Sequence, residues 1–473
     1  MNPKDYFKGK KITVMGLGLL GRGVGDALFL AECRAKLTIT DLKNKEQLAP
    51  SLKKLAQYKD IKFVLGKHDL KDFQNADMIL KSAGVPLNSP FIAEAKKNKI
   101  PIEMSASLFS KLSQIPVIGI TGTRGKTTVT VLIYEILKEA SKKQLGLNRS
   151  AKIGTVGRTG LRCRPVLGGN IQGVSNLQLL KKIKGVPYAV LELDSWQLQG
   201  FGESKLSPHI SIFTTFYPDH MNYYKNDMNT YFKDKAFIFE NQKKGDFFFA
   251  GEQTKRWVSK ERKNIKATFR FVSKKEIPSS WKTPLLGEHN RENIALAVAV
   301  ARTLEIKDSV IKKIVANFKG VPGRLELVKN IRGIKIYNDT TATTPTATLA
   351  ALRTFNQKFR TSDVLNFGKG KRIILIMGGA DKTLDMSLLV KEIPKYCREV
   401  ILLSGSGTDK LKTHASQLKD CSEYDNLKSA VQKALAIGKK GDAVLFSPAF
   451  ASFGMFKNEY DRGEQFNSII KKL

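Results

Sequence analysis

The sequence predicts an α/β protein of three domains, each built on a mainly parallel sheet with crossover helices. The chain has 473 residues, too many for one hydrophobic core, and at roughly 150 residues per domain it divides into about three. Short β-branched runs alternate with helical patterns in three successive segments, which is how parallel strands joined by helices read in sequence. Glycine-rich turns follow the opening strand of the first and second segments.

The first segment opens with the strand Ile12-Thr-Val-Met15 and turns through Gly16-Leu-Gly-Leu-Leu-Gly21 into a helix near Val24 to Ala31. It resumes as Leu37-Thr-Ile-Thr-Asp41, with further strands at Ile61 to Leu65 and Met78 to Lys81. The second opens with Pro116-Val-Ile-Gly-Ile120 and a helix reaching about Ala140, with buried strands at Tyr188 to Leu193 and His209 to Phe213. The third starts near Pro322, with strands at Ile334 to Tyr337, Ile373 to Ile376, Val400 to Leu403 and Ala443 to Phe446. Boundaries near 112 and 320 follow, giving domains 1–112, 113–320 and 321–473.

A hydrophobic content of 42% is that of an ordinary globular protein. No apolar run approaches the roughly 18 residues of a membrane span, and Met1 to Lys11 is polar with no signal-peptide h-region after it. A cytoplasmic protein without membrane insertion is expected. Cys33, Cys163, Cys397 and Cys421 lie far apart, none at metal-ligand spacing, so free thiols are expected. The balance of 80 Lys+Arg against 43 Asp+Glu leaves a net charge of +37. Because the basic residues spread over the whole length, they read as a solvated surface, and no specific nucleic acid is expected as a partner.

The strongest local signal is Ile120-Thr-Gly-Thr-Arg-Gly-Lys-Thr-Thr128, where an apolar strand ends and a helix begins. Backbone N–H groups of such a loop and the positive end of the helix can cradle a triphosphate, while Lys126 reaches the outer phosphates and Thr127 can ligate Mg²⁺. It departs from a full Walker A pattern, since Ile120 stands where the first glycine belongs. In the first segment the glycine loop, with Asp41 ending the next strand, forms a Rossmann-like fingerprint. Read alone it fits a nicotinamide dehydrogenase, but a dehydrogenase needs no triphosphate loop.

The loop Thr-Gly-Thr-x-Gly-Lys-Thr-Thr resembles that of the Mur ligases and the related folylpolyglutamate synthetases. The roughly 110 residues ahead of it favour the Mur ligases, because the synthetases lack a separate domain there. Val190-Leu-Glu-Leu-Asp-Ser-Trp-Gln-Leu198, Pro218-Asp-His-Met-Asn-Tyr-Tyr224 and Tyr231-Phe-Lys-Asp-Lys-Ala236 resemble the family's central-domain motifs. The resemblance implies ATP-dependent ligation of glutamate, D or L, to UDP-N-acetylmuramoyl-L-alanine through an acyl phosphate, with Mg²⁺, two ions expected, by a monomer. It implies that Lys126, Glu192, His220 and Lys235 are catalytic, with Thr127, Glu192, His220 and a carbamylated Lys235 as metal ligands.

By the same resemblance, Gly122, Thr123, Arg124, Gly125, Lys126, Thr127 and Thr128 hold the phosphates of ATP, Asn290 and Asn293 are candidates for adenine, and Arg324 and Asp339 meet the nucleotide from the third domain. An asparagine near a helix start is also commonly a cap. Gly18, Leu19, Leu20, Asp41, Ser82, Gly84 and Asn170 carry over to the UDP substrate, and Thr343, Lys382, Ser447 and Phe456 to glutamate. Three departures stand out: Arg124 replaces an asparagine, Thr341 a lysine and Gly454 an aspartate.

Overall fold

The computed structural model describes residues 2–19, 21–143, 164–356, 372–414 and 421–473. Among these, β1 (Lys11–Met15), β2 (Lys36–Asp41), β3 (Lys62–Leu65), β4 (Met78–Lys81) and β5 (Ile102–Glu103) form a parallel sheet in the order β3-β2-β1-β4-β5. This is the doubly wound arrangement expected of the first segment. A second parallel sheet contains β6 (Val117–Thr121), β7 (Val166–Gly169), β8 (Ala189–Glu192), β9 (Ile210–Phe213), β10 (Phe247–Gly251) and β11 (Thr268–Val272), in the order β11-β10-β9-β6-β8-β7. Every residue of β6, β8 and β9 is buried, as in strands covered by helices on both faces.

The third sheet is mixed. It contains β12 (Glu326–Ile331), β13 (Ile334–Asn338), β14 (Ile373–Gly378), β15 (Cys397–Leu403), β16 (Glu423–Tyr424) and β17 (Ala443–Phe446), in the order β12-β13-β17-β14-β15-β16. Only the edge pair β12–β13 is antiparallel. Cys33, Cys397 and Cys421 are free thiols, and no described helix is long and apolar enough to cross a membrane.

Two compact units organise the chain, Met1–Ile277 with Glu292–Ile314, and Pro278–Arg291 with Val315–Leu473. The first unit carries the first two sheets, and one apolar cluster runs through both, from Ile12, Val14 and Ile39 to Leu177, Leu191 and Phe213. The helix Arg22–Glu32 buries Val24, Ala27, Phe29 and Leu30 together with one acid, Asp26. Asp26 Oδ1 accepts from Ser175 Oγ at 2.6 Å and from Leu177 N at 3.1 Å, tying the first sheet's helix to the start of the helix Asn176–Leu179.

Burial pushes the Asp26 carboxyl up from 3.8 to about 6, although these hydrogen bonds oppose the shift. The folded chain therefore holds a proton that the unfolded chain has already released, and stability falls as pH rises from 3.8 to about 6 and is level above it. Both bonds land on one oxygen that an amide also possesses. In thermal melts across that interval, Asp26→Asn should gain on the native protein as pH rises. A difference that stays constant with pH would show that Asp26 titrates normally.

Candidate active site

Strands β8 and β9 flank β6, with Ile120 opposite Glu192 and Thr121 opposite Phe213. The phosphate loop, Glu192 and the segment leading to His220 therefore leave the sheet at the same carboxyl edge, where open parallel sheets bind ligands. The loop runs from Gly122 to Gly125 and enters the helix Lys126–Lys143. Gly122 has φ 141, and a Cβ there would overlap Thr214 Oγ1 and approach Thr215 N to 2.9 Å. Gly125 has φ 85, and its missing Cβ makes room for Asn293 Oδ1.

The residues after β9 brace this loop. Thr123 N donates to Thr215 O at 2.7 Å, and Thr123 Oγ1 donates to Tyr217 O at 3.0 Å. Thr214 Oγ1 and Thr215 Oγ1 donate to Arg124 O at 2.5 and 3.1 Å. Thr127 and Thr128 follow in the first helical turn, half-buried and buried.

Two lysines converge on one loop carbonyl. Lys126 Nζ and Lys235 Nζ each donate to Gly122 O at 3.0 Å, and Lys126 also reaches Thr123 O at 3.2 Å. Lys235, on the helix Met228–Ala236, is only 1% exposed. Burial and then repulsion from Lys126 push its amine down to about 7, against the attraction of Asp194, Asp219 and Asp234.

Glu192 is buried, and among the described residues its Oε2 has no hydrogen-bond partner. A carboxylate oxygen left in this state beside a phosphate loop fits a hard divalent cation. His220 adopts φ 55 and stacks on Trp196 with ring centroids 4.6 Å apart. Its Nε2 lies 3.9 Å from Asp219 Oδ2, and the same oxygen pairs with Arg124 at 3.7 Å. Arg124 thus links the loop to the histidine segment. Among the described residues no three His, Cys, Asp or Glu side chains converge as a metal cluster.

On the first sheet, Leu19, Ser82 and Gly84 are exposed at the strand ends, while Leu20 lies outside the described residues. Gly18 has φ 64. Asp41 is placed differently from its expected role as a substrate contact. Its Oδ2 accepts from Leu17 N and Gly18 N at 2.9 and 3.1 Å, and its Oδ1 accepts from Lys43 N at 2.9 Å. It braces the glycine loop from below. Behind the loop a cavity of about 100 Å³ is lined by Arg22, Asp26, Lys81, Ser82, Asn176 and Gln197, among others. Lys81, not among the residues singled out from sequence, is 2% exposed and donates to Val85 O at 2.5 Å and Ser82 O at 3.2 Å. Burial pushes its amine down to about 8.

The second unit brings Lys382 and Thr343 together, Nζ to Oγ1 at 3.2 Å. Ser447, expected to meet glutamate, is fully buried, and its hydroxyl lies 2.8 Å from Asp339 Oδ2 and 3.0 Å from Thr348 Oγ1. It fixes Asp339, whose Oδ1 accepts from Leu325 N at 3.1 Å. Phe456 packs half-buried against the apolar cluster around Phe446 and Ile376, which gives its ring a packing role. Thr341, where the family carries lysine, donates to Gly323 O at 2.9 Å and so holds the turn bearing Arg324. Gly454 has φ 98 with open space around it, a backbone that disfavours the aspartate usual there. Asn290 Nδ2 donates to Leu286 O at 2.7 Å, a local backbone bond at the helix start. Arg462, also unread in the sequence, is fully buried and donates to Thr340 O at 2.8 Å and Phe450 O at 3.2 Å.

Three family models match the chain: Mur ligase MurD-like, N-terminal domain, over residues 10–103; Mur ligase middle domain, over 120–276; and Mur ligase, glutamate ligase domain, over 323–450. The chain is 35% identical over 488 residues to the UDP-N-acetylmuramoylalanine–D-glutamate ligase of Borreliella burgdorferi, covering 99% of each protein. It is 34% identical over 500 residues to that of a Roseiflexus species, covering 98% of this chain and 99% of the relative. Its fold is similar to the UDP-N-acetylmuramate–alanine ligase of Thermotoga maritima, with TM-score 0.58, 18% identity and coverage of 98% and 99%. It is also similar to the MurF ligase of Thermotoga maritima in complex with ADP, with TM-score 0.55, 15% identity and coverage of 100% and 97%.

Gly122→Ala tests the loop. The left-handed backbone and the overlap with Thr214 should destabilise the fold by about 1–3 kcal/mol and abolish binding of a fluorescent ATP analogue. Retention of native affinity would remove the loop from nucleotide binding.

Proposed function

The chain belongs to the Mur ligase family, and from that premise we propose that it joins D-glutamate to UDP-N-acetylmuramoyl-L-alanine in peptidoglycan synthesis, converting ATP to ADP and phosphate. The D-glutamate ligases that it resembles over their full length support the choice of substrates. One structural observation carries the chemistry: the side-chain nitrogens of Lys126 and Lys235 meet at Gly122 O, on the sheet edge where Glu192 keeps an unpartnered oxygen. The division at residues 112 and 320 belongs to the same reading, as do a monomeric state and a cytoplasmic setting. So does a contribution to cell shape and division.

A carboxylate does not acylate an amine at neutral pH, so the acceptor carboxyl must first take the γ-phosphoryl of ATP. That step brings an attacking anion against a polyanion, and positive charge placed in advance lowers its barrier. Lys126 and the N–H groups of the loop supply such charge at the terminal phosphates. Thr127, Glu192, His220 and, once carbamylated, Lys235 would hold magnesium, which would supply further neutralisation. Once the acyl phosphate has formed, the glutamate amine attacks its carbonyl carbon and phosphate leaves. Thr343 and Lys382 anchor glutamate, with Ser447 and Phe456 supporting them through Asp339 and the core. Arg324 and Asp339 act on the nucleotide. Leu19, Ser82, Gly84 and Asn170 take the UDP substrate.

Lys235 is suited to carbamylation, because a neutral amine attacks carbon dioxide and an amine near 7 is substantially neutral at physiological pH. The carbamate replaces a cation with an oxygen ligand, which also relieves the repulsion from Lys126. With ¹³C-bicarbonate, the protein should show a carbamate signal that strengthens as pH rises through about 7 and is missing from Lys235→Arg. An identical signal in both proteins would exclude Lys235.

The activity itself is tested by supplying UDP-N-acetylmuramoyl-L-alanine and ATP with D-glutamate, L-glutamate or other amino acids, reading phosphate release and product mass. D-Glutamate should be used, and Lys126→Ala should melt like the native protein yet lose phosphoryl transfer. Near-native turnover by that variant would overturn the site, and exclusive use of another amino acid would overturn the substrate.

A further inference from the structure

The helix Arg22–Glu32 leaves the glycine loop with Arg22 as its first residue and lies along residues 170–177 of the second-sheet region. Arg22 Nη1 donates to Asn170 Oδ1. One turn on, Asp26 accepts from Ser175 and Leu177, and Gln178 Nε2 donates to Gly25 O at 3.2 Å. The approach is close enough that a Cβ on Gly25 would lie 2.5 Å from Ser175 Cβ. Asn170 is tied at its other side to the reaction centre. Its N–H donates to Glu192 O at 2.7 Å, and its neighbour Gly169 is the register partner of Glu192.

A guanidinium carries donors only, whereas an amide carries one accepting oxygen and one donating NH2. Facing Arg22, Asn170 must turn its oxygen toward the guanidinium, which directs the NH2 elsewhere. Arg22 therefore decides which end of the amide is left for a ligand. We propose that Arg22 is a positioning residue of the acceptor site, holding Asn170 so that its NH2 is presented as a donor to an oxygen of the acceptor. This rests on the ligase reading above. The acceptor carboxyl and the acyl phosphate made from it offer only oxygens, so a donor stabilises them and a flipped amide repels them.

The test is a double-variant cycle on kcat/KM for UDP-N-acetylmuramoyl-L-alanine. Arg22→Met frees the amide to rotate and should lower kcat/KM about tenfold to a hundredfold, the scale of a misplaced group, with KM for ATP unchanged. Arg22→Lys, still a donor, should recover part of the loss. Combined with Asn170→Ala, Arg22→Met should add no further loss, since each removes the same presented donor. Asn170→Asp keeps an ionic partner for Arg22 and should melt no lower than the native protein, yet place an oxygen toward the acceptor and lose at least as much activity as Asn170→Ala. Losses that multiply, or near-native activity in Asn170→Asp, would overturn the assignment of Arg22 while leaving the ligase reading intact. Absence of product from the native protein would overturn the ligase reading, and this inference with it.

Discussion

Gly122 O receives the side-chain nitrogens of Lys126 and Lys235, and the rest of the first unit's site is arranged around that shared carbonyl. Burial, and after it repulsion from Lys126, lowers the Lys235 amine, and an anion beside the pair is favoured. Nothing in the lysines themselves keeps them there. The constraint comes from the backbone: Gly122 can pass so close to Thr214 only because it has no side chain, and Thr214 and Thr215 then fix the loop by donating their hydroxyls to Arg124 O. A sheet that sets β6 between β8 and β9 thus becomes a sheet that sets charge beside Glu192 and His220.

Much of this was legible in sequence because the chemistry restricts residue type. Positive φ at Gly122 and Gly125 demands glycine, phosphate contact demands a lysine at the helix start, and strands covered on both faces demand apolar runs. The strands β6, β8 and β9 were accordingly read nearly to their ends, and so were β1, β2 and β4. Edge strands were less legible, β3 (Lys62–Leu65) excepted. β11 is half exposed with a mixed pattern, β16 has only two residues, and β12 carries an irregular register against β13. Partial burial leaves such segments without a strong period.

The contacts that join the first two sheets were invisible for a different reason. Arg22 and Asn170 are 148 residues apart, and Asp26 and Ser175 are 149 apart. No local pattern announces pairs of that kind. Motif position was also a poor guide to what a side chain touches. Asp41 stands where a dinucleotide enzyme keeps an acid for its ribose, but three backbone N–H groups occupy its carboxylate. Ser447 stands in a motif carried over to glutamate, but its hydroxyl is spent on Asp339. In both cases the side chain is engaged by the protein itself, and residue type alone does not announce that.

That distinction bears on how the family's pattern tolerates change. Thr341 lacks the charge of the usual lysine yet holds the turn of Arg324 through Gly323 O, so the position keeps a structural duty when its cationic one is gone. Arg124 moves in the other direction, adding charge where an amide is usual and pairing with Asp219 beside His220. Electrostatic stabilisation depends on the summed charge near a developing anion, so charge at one position can stand in for charge at another. Geometry is less forgiving, because Gly122 and Gly125 sit where any side chain meets Thr214 or Asn293. Charge can therefore migrate between positions in this chain while its glycines remain fixed.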